Sequence, residues 1–277
     1  MYDVYVIGGL VLDLYGEFDR YPEEGEEVFS PSSSLSIGGT AYNIANGFLY
    51  NGINPVLSAY IGDDLIGQLI EDNLKKKDIK TSIVKVKDVG TGIIFSVLTP
   101  NNRTMFTYRG ADGLFSFTDE MVDIARNSKI TVISSYVFMG KEELEGIMSF
   151  LDNVKKHTKI ALSVAKGVLD TRFAWILEVL DKVDLLFLNK VEYSILANYI
   201  STDKEVIVTM DKDGAKYLKN DDTIFVPQFD KVNGGRFVGA GDVFCAGFLS
   251  GMLKGLSIED SLALGNNTSL SWILYQF

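Results

Sequence analysis

A short run of small residues near the C-terminal end of the chain combines a turn with a carboxylate. It reads Gly239-Ala240-Gly241-Asp242 and leads into an apolar run from Val243, which predicts the start of a helix. The first N–H groups of a helix lack internal partners and bind phosphate, and glycine allows close approach. A carboxylate beside phosphate is unfavourable unless it accepts a proton from an attacking hydroxyl. The run suggests phosphoryl transfer to an alcohol, although an ordinary helix cap after a tight turn also fits.

A second glycine pair, Gly38-Gly39, stands just before another expected helix, and Asn43 falls on its first turn. The backbone can approach a ligand there, and the amide of Asn43 offers donors and acceptors to hydroxyl groups. Asp13, soon after the first expected strand, has the oxygens to accept two hydrogen bonds from a polyol. Each of these features alone is also typical of an ordinary turn or strand end.

The composition limits the class of protein. The chain has 277 residues, of which 47% are hydrophobic and 23% charged, as is typical of a globular protein with a large core. Its net charge of −11, with no basic block longer than Lys75-Lys76-Lys77, disfavours nucleic-acid binding. The single cysteine, Cys245, excludes an intramolecular disulfide and a Cys-rich metal site. The single histidine, His157, lies in a polar stretch, which disfavours mechanisms that need a histidine base.

The N-terminal residues predict a buried strand followed by a turn. The run Met1–Gly9 lacks the basic start of a signal peptide, and no apolar run in the sequence is long enough to span a bilayer. We therefore expect a cytoplasmic location without membrane association. The run Gly8–Asp13 also lacks the three-glycine spacing of a dinucleotide-binding fingerprint, which disfavours a dinucleotide oxidoreductase.

Short apolar runs alternate with helical patterns along the chain. The predicted strands are Val4–Gly8, Val56–Tyr60, Ile130–Ser134, Ile160–Ser163, Leu185–Leu188, Glu205–Thr209 and Ala215–Lys219. The predicted helices are Tyr42–Asn51, Leu65–Lys77, Glu142–Lys156, Thr171–Leu180, Lys190–Asn198, Asp242–Lys254 and Ser257–Gln276. Strands without polar alternation, separated by helices, indicate an α/β fold whose mostly parallel sheet is covered on both faces. In such folds ligands bind beyond the carboxyl ends of the strands.

Two stretches, approximately residues 12–37 and 83–109, interrupt this alternation. The second has alternating runs on both sides of the turn Pro100-Asn101-Asn102, which is typical of antiparallel strands. We interpret both as one small β lid over the carboxyl edge of the sheet, within a single domain of residues 1–277. A pair of decorating hairpins without a covering role is the alternative. Exposed strand edges would favour a homodimer through the lid.

Two motifs, in this order, resemble those of the ribokinase-like, phosphofructokinase-B type family of carbohydrate kinases. The first is Gly38-Gly39-x-x-x-Asn43, with Ile61-Gly62-Asp63-Asp64-x-x-Gly67 downstream. The second is Gly239-Ala240-Gly241-Asp242-x-Phe244-x-x-Gly247-Phe248. Between them lie Asn189-x-x-Glu192 and Val208-Thr209-x-x-x-x-Gly214. The resemblance spans nearly the whole chain and implies a ribokinase-like three-layer core with a small β lid, ATP as phosphate donor, and Mg²⁺.

The resemblance also implies roles for the residues that match the motifs. Asp242 matches the catalytic base. Gly239, Ala240 and Gly241 match the family's turn. The amides of that turn hold the charge that develops on the transferred phosphate. The sugar-binding positions match Asp13, Gly38, Gly39 and Asn43. Thr209 and Gly214 match part of the nucleotide site, Asn266 is expected near the base, and Asp211 falls in the same strand-end element. Asn189 and Glu192 match the Asn-x-x-Glu element that organises Mg²⁺, its waters and phosphate, with Glu192 acting through water, although the pair also fits a helix cap.

The lid contains two arginines, Arg103 and Arg109, that are candidates for contact with the acceptor. A buried arginine would favour a carboxylate or phosphate on the sugar. The alternative is that both form surface ion pairs, each contributing about 0–1 kcal/mol. Tyr42 and the aromatic residues of the lid fit stacking on a nucleobase as well as core packing. A free sugar, a nucleoside and a sugar acid all remain open as the small-molecule acceptor.

The sequence departs from the family pattern at two places. Arg236 and Phe237 stand where the family usually has an Asp-Thr pair that contributes to a monovalent-cation site. Because a guanidinium cannot ligate K⁺, we expect no K⁺ requirement. Asp211 stands where a glycine is usual. Its side chain would narrow the donor site or add negative charge beside it, and either effect would change the preference for ATP. The departures keep open a catalytically impaired sugar- or nucleotide-binding protein on the same fold, although the retained Asp242 and Glu192 argue against it.

Overall fold

The computed structural model describes residues 1–100, 102–228 and 237–275, so Asn101 and Arg236 lie outside the described residues. Within these ranges the chain forms two sheets and a set of α-helices. The strands are β1 (Tyr2–Ile7), β2 (Val11–Glu17), β3 (Ser32–Gly38), β4 (Pro55–Gly62), β5 (Lys80–Val86), β6 (Gly92–Thr99), β7 (Asn102–Tyr108), β8 (Ser128–Ser134), β9 (Lys159–Ser163), β10 (Leu185–Asn189), β11 (Glu205–Thr209), β12 (Gly214–Lys219) and β13 (Asp222–Pro227). The helices are α1 (Thr40–Tyr50), α2 (Leu65–Lys76), α3 (Asp119–Arg126), α4 (Leu144–Val154), α5 (Lys166–Val179), α6 (Lys190–Leu196), α7 (Ala240–Leu253) and α8 (Ile258–Tyr275).

The larger sheet has the strand order β13-β12-β11-β10-β9-β8-β1-β4-β5 among the described residues. In this spatial order the strands β11, β10, β9, β8, β1, β4 and β5 run parallel to one another. Strand β12 is antiparallel to β11, and β13 is antiparallel to β12. Alternate residues of β1 face two different cores: Val4 and Val6 pack with helices α1 and α7, whereas Tyr5 and Ile7 pack with helices α3 to α5. The sheet is thus covered on both faces, and the predicted α/β fold with a mostly parallel sheet is confirmed.

The smaller sheet has the order β3-β2-β6-β7, with β2 and β6 parallel and the outer pairs antiparallel. Both stretches that interrupt the alternation of strands and helices, residues 12–37 and 83–109, contribute strands to it. The predicted lid stretch from residue 83 begins too early, however, because residues 83–86 belong to β5 and pair with β4 in the larger sheet. β5 is an edge strand of that sheet, and Ser82 is its only buried residue.

The boundaries of several other elements differ from the prediction. Helix α5 begins at Lys166 rather than Thr171, and a kink at Arg172 (φ −132°, ψ 30°) divides it into two helical segments. The short elements α3 and β13 were not predicted, since eight and six residues give little periodicity. None of the described helices combines the length and the apolar character that crossing a membrane requires.

Candidate active site

A cleft of about 660 Å³ lies between the smaller sheet and the carboxyl ends of the parallel strands. Most of the predicted site residues line it: Asp13, Gly39, Asn43, Arg103, Arg109, Asn189, Glu192, Thr209, Gly239, Gly241 and Asp242. The predicted positions that do not line it are Gly38, Ala240, Asp211, Gly214 and Asn266. The cleft therefore gathers residues from both glycine-rich motifs and from the Asn189 and Thr209 elements between them, but none from the run Ile61–Gly67.

Asp242 lies in the first turn of α7 and is held by Asn43 of α1. The Asn43 Nδ2 group donates a hydrogen bond to Asp242 Oδ2 at 2.9 Å. The N-cap residue Gly239 has φ 78°, and a Cβ there would lie 2.6 Å from Asn43 Nδ2. Gly47 lets the two helices approach, because a Cβ there would lie 2.7 Å from Ala246 Cβ. The small residues thus bring the two motifs into direct contact.

The pKa of the Asp242 carboxyl is shifted towards neutral pH. Burial raises the pKa of its carboxyl to about 7; the hydrogen bond from Asn43 lowers it, and the charge of Glu192 raises it further. A carboxylate with this pKa is suited to accept a proton near physiological pH. The position at a helix start adds partial positive charge close by. The site therefore combines a proton acceptor with a turn suited to an anion.

Asp13 of β2 stands on the other side of the same cleft and is 7% exposed. It accepts a hydrogen bond from Tyr15 Oη at 3.3 Å. Burial raises its pKa to about 6, while the Tyr15 hydrogen bond and the charge of Arg103 lower it. Gly38 leaves room for Asp13, since a Cβ there would overlap Asp13 Oδ2. Gly38 therefore acts on the cleft through Asp13 rather than by lining it.

The two arginines predicted to contact the acceptor have different surroundings. Arg109 follows β7 and pairs with Asp112, to whose Oδ2 its Nε and Nη2 donate at 3.0 and 2.5 Å. Its Nη2 also donates to the backbone oxygen of Tyr136 at 3.0 Å. Arg103 of β7 lines the cleft, and no described carboxylate forms an ion pair with it. Arg109 is therefore neutralised, and Arg103 is not.

Asp112 and Tyr136 line the cleft and were missed by the sequence analysis. Asp112 is 5% exposed, and burial raises its pKa while Arg109 lowers it. The spacing of Arg109 and Asp112, three residues apart across a turn, was the available signal for their pairing. No sequence signal pointed to Tyr136, which lies in the short 3₁₀ helix Ser135–Met139 after β8.

Asn189 and Glu192 cap helix α6. Asn189 Oδ1 accepts from the amides of Val191 and Glu192 at 2.8 and 2.9 Å, and Glu192 Oε2 accepts from the Asn189 amide at 2.7 Å. Glu192 Oε1 also accepts from the Lys166 amide, at 3.0 Å, at the start of α5. The helix-cap interpretation of this pair is therefore correct. It does not exclude a contact with water, because each carboxylate oxygen has a second lone pair.

The described residues contain no group of three or more His, Cys, Asp or Glu side chains that could hold a metal ion. Mg²⁺ is commonly bound by one or two carboxylates together with water and substrate phosphates. Glu192, which is 6% exposed and lines the cleft, fits this sparse arrangement. Burial raises the pKa of Glu192, while the hydrogen bonds from the Asn189 and Lys166 amides lower it.

The remaining predicted nucleotide positions surround the ends of β11 and β12. Thr209 is the register partner of Asn189, so the two lie side by side at neighbouring strand ends. Asp211 has φ 53° and forms an ion pair with Lys190 at 2.5 Å. This left-handed backbone favours glycine, which gives a physical reason for the glycine that is usual there. Asp is one of the few other residues that adopt it readily.

Gly214 and Asn266 both contact β13. Gly214 has φ 118°, and a Cβ there would overlap the backbone oxygen of Val226. Asn266 Nδ2 donates to that same oxygen at 3.2 Å and is 7% exposed. Their residue types are thus explained by the junction between α8, β12 and β13.

An α/β core with a separate small sheet and a carboxylate at a glycine-rich helix start defines a kinase of the ribokinase type. The model of the pfkB family of carbohydrate kinases matches residues 1–274, and the chain belongs to this family. The expected family membership is therefore confirmed, and the protein is a carbohydrate or nucleoside kinase.

Known relatives of the chain differ in their named substrates. An ATP-dependent 6-phosphofructokinase of Thermoanaerobacterium thermosaccharolyticum is 26% identical, over 95% of this chain and 85% of that protein. The adenosine kinase structure from Sinorhizobium meliloti has a TM-score of 0.86 at 22% identity, covering 98% of this chain and 94% of that chain. The Arabidopsis thaliana ribokinase complexed with ribose and ATP has a TM-score of 0.85 at 20% identity, covering 100% and 94%. These structural likenesses show the fold.

Proposed function

We propose that the protein transfers a phosphoryl group from ATP to a hydroxyl of a sugar or nucleoside, with Asp242 as the base. The observation that carries this proposal is the contact between Asn43 and Asp242 at the start of α7, in the cleft that Asp13 also lines. A base, a helix start and hydroxyl-binding groups then converge on one acceptor. The pKa of about 7 for Asp242 suits the proton transfer.

In the proposed reaction the acceptor oxygen attacks the terminal phosphorus of ATP while the bond to the leaving ADP oxygen breaks. Asp242 accepts the hydroxyl proton, and Asp13 with Asn43 orients the acceptor. The turn Gly239–Gly241 serves as the anion hole. The Ala240 amide already donates to Phe237 O at 3.2 Å, so this role falls mainly to the other amides of the first turn.

The donor side of the site comprises Asn189, Thr209 and the neighbouring turn at Asp211. We include Mg²⁺ in the proposal, held by Glu192 through water; when bound, it supplies charge neutralisation for the phosphates. We keep the expectation that K⁺ is not required, which is based on Arg236 in the sequence. The Lys190–Asp211 ion pair lies at this turn, and we expect it to affect which nucleotide serves as phosphate donor.

We propose that the smaller sheet serves as the lid of a single kinase domain and that its outer face forms a homodimer. Cross-strand register aligns Leu35, Leu14, Phe95 and Phe106 into one apolar row over all its strands. Leu35 and Phe106 are 65% and 59% exposed. Such a contiguous exposed apolar face is typical of an interface, and a second copy carries the same surface.

The proposed function is tested by measuring ADP release over a panel of sugars and nucleosides, with Mg²⁺ and with K⁺ present or omitted. The Asp242→Asn variant should lose about 10²–10⁴-fold in turnover while ATP binding, measured by calorimetry, persists. Asp119→Asn is the matched control, because Asp119 is also in the first turn of a helix but lies on the exposed side of α3. Wild-type turnover in Asp242→Asn would remove Asp242 from the base role.

A further inference from the structure

The lid side of the cleft carries an apolar strip. The side chains of Val11, Ile94 and Met105 lie on the cleft side of β2, β6 and β7 and line the cleft. Met105 is 51% exposed, although it is a large apolar residue. A methionine thioether adapts its shape to flat ligands and contacts aromatic rings favourably. This strip is therefore an apolar surface inside a cleft whose floor is polar.

A second apolar wall comes from the 3₁₀ helix after β8. Tyr136 and Met139 line the cleft, and Tyr136 is 38% exposed. The hydrogen bond from Arg109 Nη2 to Tyr136 O, at 3.0 Å, fixes this segment next to the end of β7. We call the surface formed by Val11, Ile94, Met105, Tyr136 and Met139 the apolar slot.

The apolar slot adjoins the hydroxyl-binding groups. Asp13 of β2 is the direct register partner of Ile94 in β6, and both side chains line the cleft. A sugar ring held by Asp13 and Asn43 must therefore place a neighbouring substituent against Ile94. A free sugar places mainly hydroxyl groups there, and these match the apolar side chains poorly.

The charges of the cleft disfavour an anionic acceptor. Among its described lining residues, the acidic side chains are Asp13, Asp112, Glu192 and Asp242, and the basic ones are Arg103 and Arg109. Arg109 is already paired with Asp112. Arg103 acts on Asp13, whose pKa its charge lowers. With four acidic and two basic side chains, this described lining has an excess of acidic groups, which disfavours a further carboxylate or phosphate.

We propose that the acceptor is a nucleoside, whose base occupies the apolar slot while its sugar hydroxyl reaches Asp242. This inference rests on the proposed kinase function. A nucleobase is uncharged, flat and apolar on its faces, so it covers Met105 and Tyr136 without adding negative charge. Ser96 and Thr107, which also line the cleft from β6 and β7, offer hydrogen bonds to the polar edge of the base.

The test compares kcat/KM for purine and pyrimidine nucleosides, ribose, fructose, fructose 6-phosphate and gluconate, with ATP and Mg²⁺. At least one nucleoside should exceed every sugar by about 10²-fold, because base burial adds binding that sugars lack. A sugar or an anionic sugar that exceeds all nucleosides would overturn the inference and leave the kinase function standing. Absence of ADP release with every acceptor would overturn the kinase function itself, and the inference with it.

A variant pair tests the slot directly. Met105→Ala should raise KM for the nucleoside about tenfold, with a much smaller effect on KM for ribose, because the base loses an apolar contact that ribose does not make. Leu69→Ala is the matched control, since Leu69 is an equally exposed apolar residue of α2 outside the cleft (53% exposed). Calorimetric titration of Met105→Ala with the nucleoside should show the same loss without turnover. Equal losses for ribose and nucleoside, or unchanged nucleoside binding, would overturn the inference.

Discussion

Asn43 Nδ2 and Asp242 Oδ2 lie 2.9 Å apart although the residues are 199 positions apart in the sequence. The contact joins α1 to α7 just beyond the two glycine turns. It orients the Asp242 carboxylate and, by donating a hydrogen bond to the charged form, lowers its pKa against the effect of burial. Removing either partner is therefore expected to change both the geometry and the protonation of the proposed base.

The pH dependence of catalysis should report on this pair. If Asp242 is the base, kcat/KM should rise as the pH passes through about 7, because the group accepts a proton only when deprotonated. Asn43→Ala removes the hydrogen bond that lowers the pKa, so the rise should move to higher pH. Asn153→Ala, on the exposed side of α4, is the control. The measurement is kcat/KM between pH 5 and 9, and an unmoved profile in Asn43→Ala would contradict this account.

The stability of the Asp242→Asn variant should depend on pH in a defined direction. Burial raises the pKa of Asp242 to about 7 in the folded protein, above its unfolded value of about 4. The stability that this bound proton contributes is fully present below the pKa of the unfolded state, and it is lost as the pH rises through the pKa of the folded state. Asn resembles the protonated carboxyl, so the variant should melt at a higher temperature than the wild type at pH 8.

Well below the unfolded pKa of Asp242 the two proteins should melt together, because the wild-type carboxyl is then protonated in both states. Thermal denaturation followed by circular dichroism over this pH range makes the comparison. Asp119→Asn, at an exposed first-turn position of α3, is the control variant. A gap in Tm that is constant with pH would show that Asp242 is not titrating in this window.

A glycine pair in the same turn separates backbone strain from a general effect of substitution. Gly239→Ala forces a Cβ onto a left-handed residue and within 2.6 Å of Asn43 Nδ2. It should lower the free energy of unfolding by about 1–3 kcal/mol. Gly241→Ala meets nothing within 4 Å and stands in a helix, so stability should change by less than about 1 kcal/mol or rise. Urea denaturation measures both, and equal losses would refute the strain argument.

The outer face of the smaller sheet predicts the oligomeric state. Phe106→Lys places a charge in the exposed apolar row of the proposed interface and should convert a dimer into a monomer. Leu69→Lys, on the exposed side of α2, should leave the dimer intact. Sedimentation equilibrium distinguishes the two. A wild-type monomer at micromolar concentration would rule out the proposed dimer.

Local patterns in the sequence were sufficient to predict much of this protein. Buried strands such as β1 and β11 appear as short apolar runs, because a strand covered on both faces has little polar alternation. The turn before Asp242 was recognisable from Gly239, because its left-handed backbone favours glycine. The Asn189–Glu192 cap was recognisable because both partners lie in the same helical turn.

Other features depend on residues that are distant in sequence. The pairing of β5 with β4 rather than with the smaller sheet is decided by which surface buries its apolar residues. The neutralised charge of Arg109, the role of Tyr136 in the cleft and the raised pKa of Asp242 arise only when separate elements pack together. The sequence by itself determined the strands, helices and chemistry-bearing turns, because backbone propensity and hydrophobic period are local. Only the tertiary structure decided the charge balance and the apolar slot of the cleft, because desolvation and pairing depend on neighbours brought together by folding.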